Sequence, residues 1–195
     1  MFYKFAHIVV GVIFRVIFRF KVIGRENVPA GGALICANHS SLTDPVFIAL
    51  ALKRKDRPRF MAKKELFKIF GFKQIIIGLG AYPVDRGASD LAAVRTTLQI
   101  LRQGQNVLIF PHGHRITAGG ENMTMKNGAA MLAFHSGAPL LPAYLTAGRR
   151  VFFDKIQVVF GKPFNVEQKP GVKSSELYAA LAERLKEEIY ALKPN

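Results

Sequence analysis

From Gly24 onward the chain alternates short, apolar, β-rich runs with stretches of helical periodicity, and this alternation restricts the fold more than any other feature. The runs 33–37, 58–62, 81–84, 106–110, 139–145 and 156–160 predict strands. Residues 45–52, 64–70, 89–103, 128–136 and 174–192 predict helices between and after them. Such short apolar strands leave no polar face for water, so the expected fold is a single α/β domain over 24–195, its mostly parallel or mixed sheet flanked by helices. Ligands in sheets of this kind sit beyond the carboxyl ends of the strands. Here those ends carry Asn38-His39, Asp85-Arg86 and Pro111-His112-Gly113-His114-Arg115.

Residues 1–23 differ in character. The stretch 2–20 is strongly apolar and lacks Pro, but Arg15 and Arg19 interrupt it, and no run approaches the roughly 20 residues that span a bilayer. On a helix, Lys4, His7, Gly11, Arg15 and Arg19 share one stripe, with Phe, Ile and Val around the remainder. That pattern predicts a helix lying in a membrane interface, its apolar face among acyl chains and Lys4, Arg15 and Arg19 at the headgroups. A core helix with snorkelling arginines is the bland alternative. A signal peptide is the other, but no small-residue cleavage site follows.

Charge and hydropathy point the same way. The chain has 28 Lys and Arg against 13 Asp and Glu, a formal charge of +15, which calls for an anionic partner. It is also half hydrophobic, with 16 Phe and a mean hydropathy of +0.17, whereas nucleic-acid binders are polar on their binding faces. A lipid surface is therefore the expected partner, not nucleic acid, and the expected place is the cytoplasmic face of the cell membrane, peripheral or monotopic. The single cysteine, Cys36, cannot form an internal disulfide and suits a reducing compartment. It falls inside a predicted strand and reads as a small buried hydrophobe rather than a nucleophile.

The first strand runs into Asn38-His39-Ser40-Ser41-Leu42-Thr43-Asp44-Pro45. Five residues separate His39 from Asp44, too far around a helix for a shared face, so His39 belongs in a loop and Asp44 at a helix start. Asp44-Pro45 fits an ordinary N-cap and N1 pair, which needs no chemistry. A carboxylate turned back from that position can also accept the imidazole Nδ1 proton and leave Nε2 free as a base. His112 and His114 form a His-x-His pair whose rings would share one side of an extended strand. Without a Cys pair or an acidic third ligand, no metal site is expected there.

At these motifs the chain resembles the 1-acylglycerol-3-phosphate acyltransferases, within the wider glycerolipid and lysophospholipid acyltransferases. The block 38–44 is similar to the family's first motif, Ala62-Lys63-Lys64-Glu65-Leu66 to its Ala-Lys-x-Glu-Leu element, and Tyr82-Pro83-Val84-Asp85-Arg86-Gly87 to its second motif. Phe110-Pro111-His112-Gly113-His114-Arg115 aligns with the third. Lys126-Asn127-Gly128, Pro139-Leu140-Leu141-Pro142 and Gly161-Lys162-Pro163 match its closing landmarks. The third motif departs from the family's usual Phe-Pro-Glu-Gly-Thr-Arg, with His112 in place of Glu and His114 in place of Thr.

The resemblance implies acyl transfer from acyl-CoA or acyl carrier protein, as co-substrate and with no cofactor, to the free hydroxyl of a lysophospholipid. His39 and Asp44 would be catalytic. Asn38, Lys63, Arg86, His112, Gly113, His114 and Arg115 would bind substrate, with Arg86, Arg115 and Lys63 gripping a phosphate and backbone amides near Gly113 facing the oxyanion. Two other readings stay open: the same chemistry on another lysophospholipid or a glyceryl phosphate, and a noncatalytic basic protein on an anionic membrane.

Overall fold

The computed structural model describes residues 12, 17–52, 57–85, 90–116, 124–146, 155–167 and 171–194. Their strands are β1 (Arg19–Ile23), β2 (Leu34–Ala37), β3 (Arg59–Lys63), β4 (Ala81–Val84), β5 (Val107–Ile109), β6 (Leu140–Leu145) and β7 (Lys155–Phe160). All seven join one sheet in the order β1-β7-β6-β2-β5-β3-β4. From β6 through β4 the strands are parallel; β7 runs antiparallel to β6, and β1 runs parallel to β7. The α-helices are α1 (Asp44–Ala51), α2 (Phe72–Gly78), α3 (Leu91–Arg102), α4 (Gly128–Ser136) and α5 (Ser174–Ala191).

Strand β2 shows how the layers form. Its side chains alternate, so Leu34 and Cys36 pack with Ile100, Leu132 and Leu185 from α3, α4 and α5, while Ile35 and Ala37 pack with Phe47, Ile48 and Ala51 from α1. Every β2 residue is buried, as expected of a central parallel strand covered on both faces. The expected α/β domain is the observed one, and six of its strands lie where the apolar runs placed them.

Two elements differ from expectation. Arg19 is not on a helix: it opens β1, pairing with Lys155 of β7. Phe20 and Val22 turn inward against the core while Arg19, Lys21 and Ile23 face out, a period of two that follows directly on the apolar segment. Residues 19–23 therefore belong to the sheet, and the basic side chains on β1 suit an edge strand. Lys4, His7, Gly11 and Arg15, the remaining members of the stripe, lie outside the described residues, whereas Val12 and Ile17 are helical. No helix among the described residues is long and apolar enough to cross a membrane.

The second difference concerns 64–70, expected as one helix. Lys64–Lys68 form a 3-10 turn instead, and α2 starts only after Gly71, whose φ of 76° breaks the helical path. The ends of β2, β3, β4 and β5 all open at one edge of the sheet. That edge carries the motifs.

Candidate active site

His39 follows β2 directly, and Asp44 is the first residue of α1. Asn38 sets their position. Its side-chain Nδ2 donates to the Leu145 carbonyl at 2.8 Å, and its Oδ1 accepts from the Leu145 amide at 2.8 Å. Both ends of the amide thus extend the β2–β6 ladder beyond Ala37 and Ala143. Asn38 holds the loop that presents His39, and its amide is committed to the backbone rather than turned to a ligand.

Asp44 is fully buried, which would be costly for a lone carboxylate. Its Oδ2 accepts from His39 Nδ1 at 2.9 Å and from the Ser40 and Ser41 amides at 2.6 and 2.8 Å. The N-cap is Thr43, with Pro45 in the first turn of the helix. The carboxylate therefore does not cap α1 in the ordinary forward sense; it turns back on the loop it follows. With Nδ1 donating to Asp44, Nε2 is the unprotonated nitrogen of a neutral ring.

The third motif closes over the same histidine. Phe110 stacks on the His39 ring at 4.0 Å with 16° between the planes. The Ile116 amide donates to the His39 carbonyl at 2.7 Å, tying the far end of the motif to the same residue. His39 is left only 9% exposed. An acid on one edge and an aromatic on one face give the ring a single orientation.

Between these ties the motif makes a turn rather than an extended strand. The Gly113 amide donates to the Phe110 carbonyl at 2.9 Å, so this amide closes the turn and is not an oxyanion donor here. His112 and His114 diverge: His112 is 1% exposed and faces the edge of Tyr190 on α5 at 6.2 Å between centroids, while His114 and Arg115 are exposed. His112 lies beneath the loop instead of on its open side. The expectation of a shared side for the two rings fails because the turn breaks strand alternation.

Lys126 is the residue the motifs underplay. A methyl group on Gly113 would lie 3.1 Å from both Cε and Nζ of Lys126, so the lysine side chain runs directly over the glycine, whose φ is 78°. The Lys126 amide also donates to the Pro111 carbonyl at 3.1 Å. Its place in the Lys126-Asn127-Gly128 landmark is the sequence signal; its proximity to the third motif is visible only in the fold.

The other cations lie along the same strand edge. Lys64 pairs with Asp85, joining the ends of β3 and β4, and this hydrogen bond raises the lysine above its ordinary pKa. Lys63 stays exposed, 3.8 Å from Glu65. Arg86 lies outside the described residues. Its neighbour Asp85 is held by Asp90, which accepts from the Asp85 amide at 2.7 Å and from Ala93 at 2.9 Å. Those two backbone donors, Asp85 first, keep the Asp90 carboxyl below its ordinary range. Cys36 is buried in β2, and desolvation pushes its thiol far up, so no thiolate is available for nucleophilic attack.

An imidazole fixed by a buried carboxylate at a strand end, with exposed cations around it, is equipped for proton abstraction next to an anion. The acyltransferase family matches residues 19–146, which include the His39–Asp44 pair and the third motif. The chain belongs to that family. It is 31% identical over 177 residues to the 1-acyl-sn-glycerol-3-phosphate acyltransferase of Bacillus subtilis, covering 88% of this chain and 87% of that one. It is 31% identical over 140 residues to the enzyme of the same name from Streptococcus pneumoniae, but spans only half of that protein's length. The crystal structure of the 1-acyl-sn-glycerophosphate (LPA) acyltransferase, PlsC, from Thermotoga maritima superposes with a TM-score of 0.71 at 25% identity, covering 99% of this chain and 82% of that one.

Proposed function

We propose that this acyltransferase moves a fatty acyl group from acyl-CoA or acyl carrier protein onto the free hydroxyl of 1-acylglycerol-3-phosphate, forming phosphatidic acid at the cytoplasmic face of the membrane. The observation that carries the reading is the 2.9 Å contact between His39 Nδ1 and the buried Asp44 carboxylate. His39 Nε2 takes the proton of the acceptor hydroxyl as its oxygen attacks the thioester carbonyl. The tetrahedral adduct then expels the thiolate as the C–S bond breaks, and the imidazolium returns its proton to the sulfur. No acyl-enzyme is required. General base catalysis of this kind contributes about 10²- to 10⁴-fold.

Arg115, Lys126, Lys63 and Arg86 supply cations for the acceptor phosphate. Arg115 comes from the third-motif turn beside His39, Lys126 lies over Gly113 of that turn, and Lys63 comes from the end of the neighbouring β3. Gripping the phosphate holds the hydroxyl beside the base and makes its attack effectively intramolecular. His114 borders the same turn. The names of the relatives from Bacillus subtilis and Thermotoga maritima support this choice of acceptor.

One observation favours a second acceptor. His112, where the family carries Glu, underlies the turn bearing Arg115, so the exchange alters the support of the phosphate grip and suits another lysophospholipid or a glyceryl phosphate. Assaying the purified chain with both thioester donors across a panel of lysolipid acceptors decides between the two. Fastest turnover of 1-acylglycerol-3-phosphate, abolished by His39→Ala, is expected; transfer to no acceptor would end the enzymatic reading.

A further inference from the structure

The 3-10 turn after β3 and helix α2 form an apolar projection next to the catalytic edge. Phe70 is 99% exposed and Ile69 53%, and Leu66, Ile75 and Ile77 are also exposed. Ile76 turns inward, packing with Ala62 and Ala81 to anchor the projection to β3 and β4. Scattered exposed apolar residues are ordinary, but five within twelve residues of chain, led by a fully exposed aromatic at a glycine turn, mark a contact surface.

The charges around the tip identify the partner. Lys68 and Lys73 flank Ile69, Phe70 and Gly71, both are exposed, and Glu65 is the one acidic residue between Arg59 and Gly78. An apolar tip collared by cations complements acyl chains beneath anionic headgroups. The projection leaves the sheet at Lys63, on the edge that also carries His39 and the third motif. A bilayer contacting Phe70 would thus meet the edge that receives a lipid acceptor.

We infer that the Leu66–Ile77 projection is a membrane-docking element, in which Ile69 and Phe70 enter the acyl-chain boundary and Lys68 and Lys73 engage anionic headgroups. The inference rests on the proposed membrane location but assigns contact to a part of the fold separate from residues 1–23. It holds the catalytic edge against the surface from which the acceptor is taken.

The chain contains no tryptophan, so Phe70→Trp introduces a unique fluorophore at an exposed position. A matching control is Val172→Trp, 40% exposed and outside the Leu66–Ile77 segment, just before α5. Full-length variants are mixed with phosphatidylcholine vesicles with and without phosphatidylglycerol, and bound protein is measured by cosedimentation. Phe70→Trp emission is expected to shift to the blue on anionic vesicles and to be quenched by lipids brominated along their chains, while the Val172→Trp fluorophore stays in water. Ile69→Asp with Phe70→Asp should weaken vesicle binding at least ~10-fold and leave turnover of a short-chain, monomeric lysophosphatidic acid unchanged. Lys68→Glu with Lys73→Glu should weaken binding in proportion to the anionic lipid present, and salt should do the same to the parent protein. If the Phe70→Trp protein binds vesicles while its fluorophore remains in water, the docking element alone is overturned. Protein that binds neither vesicle overturns the membrane location with it, and a blue shift that grows with protein concentration in the absence of lipid would assign the surface to a second copy of the chain instead.

Discussion

His39 and Asp44 are joined by one hydrogen bond of 2.9 Å, and the same carboxylate oxygen also accepts from the two amides that follow His39. The carboxylate thereby shapes the loop and selects the imidazole tautomer at once. Asp44→Asn can keep all three bonds through its carbonyl oxygen, but it removes the negative charge beside the ring. The imidazolium formed when Nε2 takes a proton would then lack its counter-charge. Turnover should fall at least ~10³-fold in His39→Ala and nearly as far in Asp44→Asn, with thermal unfolding of Asp44→Asn close to that of the parent. A fully active His39→Ala protein would exclude this histidine as the base.

Asn38 separates a structural from a ligand-binding role. Its replacement by Ala leaves the Leu145 amide and carbonyl without their partners in a buried setting, at a cost of about 1–3 kcal/mol for each. The melting temperature of Asn38→Ala should drop by roughly 5–10 °C, with activity falling because His39 loses its fixed position. An unchanged melting temperature with weaker acceptor binding would return Asn38 to the substrate site.

Gly113 and Lys126 offer a test within the third motif. Gly113→Ala adds a methyl group 3.1 Å from Lys126 Nζ at a backbone φ of 78°, so the turn is strained and the lysine displaced together. Steady-state kinetics should show a rise in KM for a phosphate-bearing acceptor and little change for the thioester. Arg115→Ala and Lys126→Ala should show the same division. Equal losses for both substrates would place these cations elsewhere in the reaction.

What the sequence made legible followed from local periodicity. Ile35 and Ala37 against Leu34 and Cys36 mark a strand buried on both faces, and the ordered motifs place His39 and Asp44 at its carboxyl end. Periodicity misplaces Arg19 because a 100° stripe and a two-residue alternation overlap at the end of the apolar segment, and only pairing with Lys155 decides between them. The role of Asn38 depends on Leu145, 107 residues away, and that of Lys126 on lying over Gly113. Those relationships are tertiary. A residue's place within a motif does not reveal whether its polar atoms meet a ligand or a distant backbone.

The alkaline limb of stability should report two buried groups in the core. Burial raises the Tyr82 hydroxyl to about 12 from its ordinary 10.0 and carries the Cys36 thiol well above its ordinary 9.0. Both groups are neutral in the folded protein and lose protons sooner when unfolded, so the folded state binds more protons and stability falls as pH rises. The fall should begin above pH 9 with Cys36 and steepen above pH 10 with Tyr82, at up to about 1.4 kcal/mol per pH unit for each group. Urea unfolding between about pH 8 and 11 measures it. Cys36→Ala should flatten the part between pH 9 and 10, and an unaltered slope there would mean the thiol is not protected by the fold.

His112 stands where the family places a Glu, buried at 1% exposure against Tyr190 and beneath the turn that carries Arg115. A carboxylate there would bring negative charge under the turn that carries Arg115 and is crossed by Lys126, whereas an imidazole is neutral or positive and can donate a hydrogen bond. The exchange acts on the support of the cations and leaves His39, Asp44 and their hydrogen bond in place. His112→Glu should therefore shift the order of preference across lysolipid acceptors and alter the pH profile, while the best activity changes by less than ~30-fold, about 2 kcal/mol of barrier. His112→Gln, neutral at every pH, should shift preference without the pH response. Parallel kinetics on the three proteins distinguish the outcomes. An unchanged preference in both variants removes His112 as a selectivity element, and a parent protein that is silent until Glu is restored would mean the natural chain has lost the activity its fold was built for.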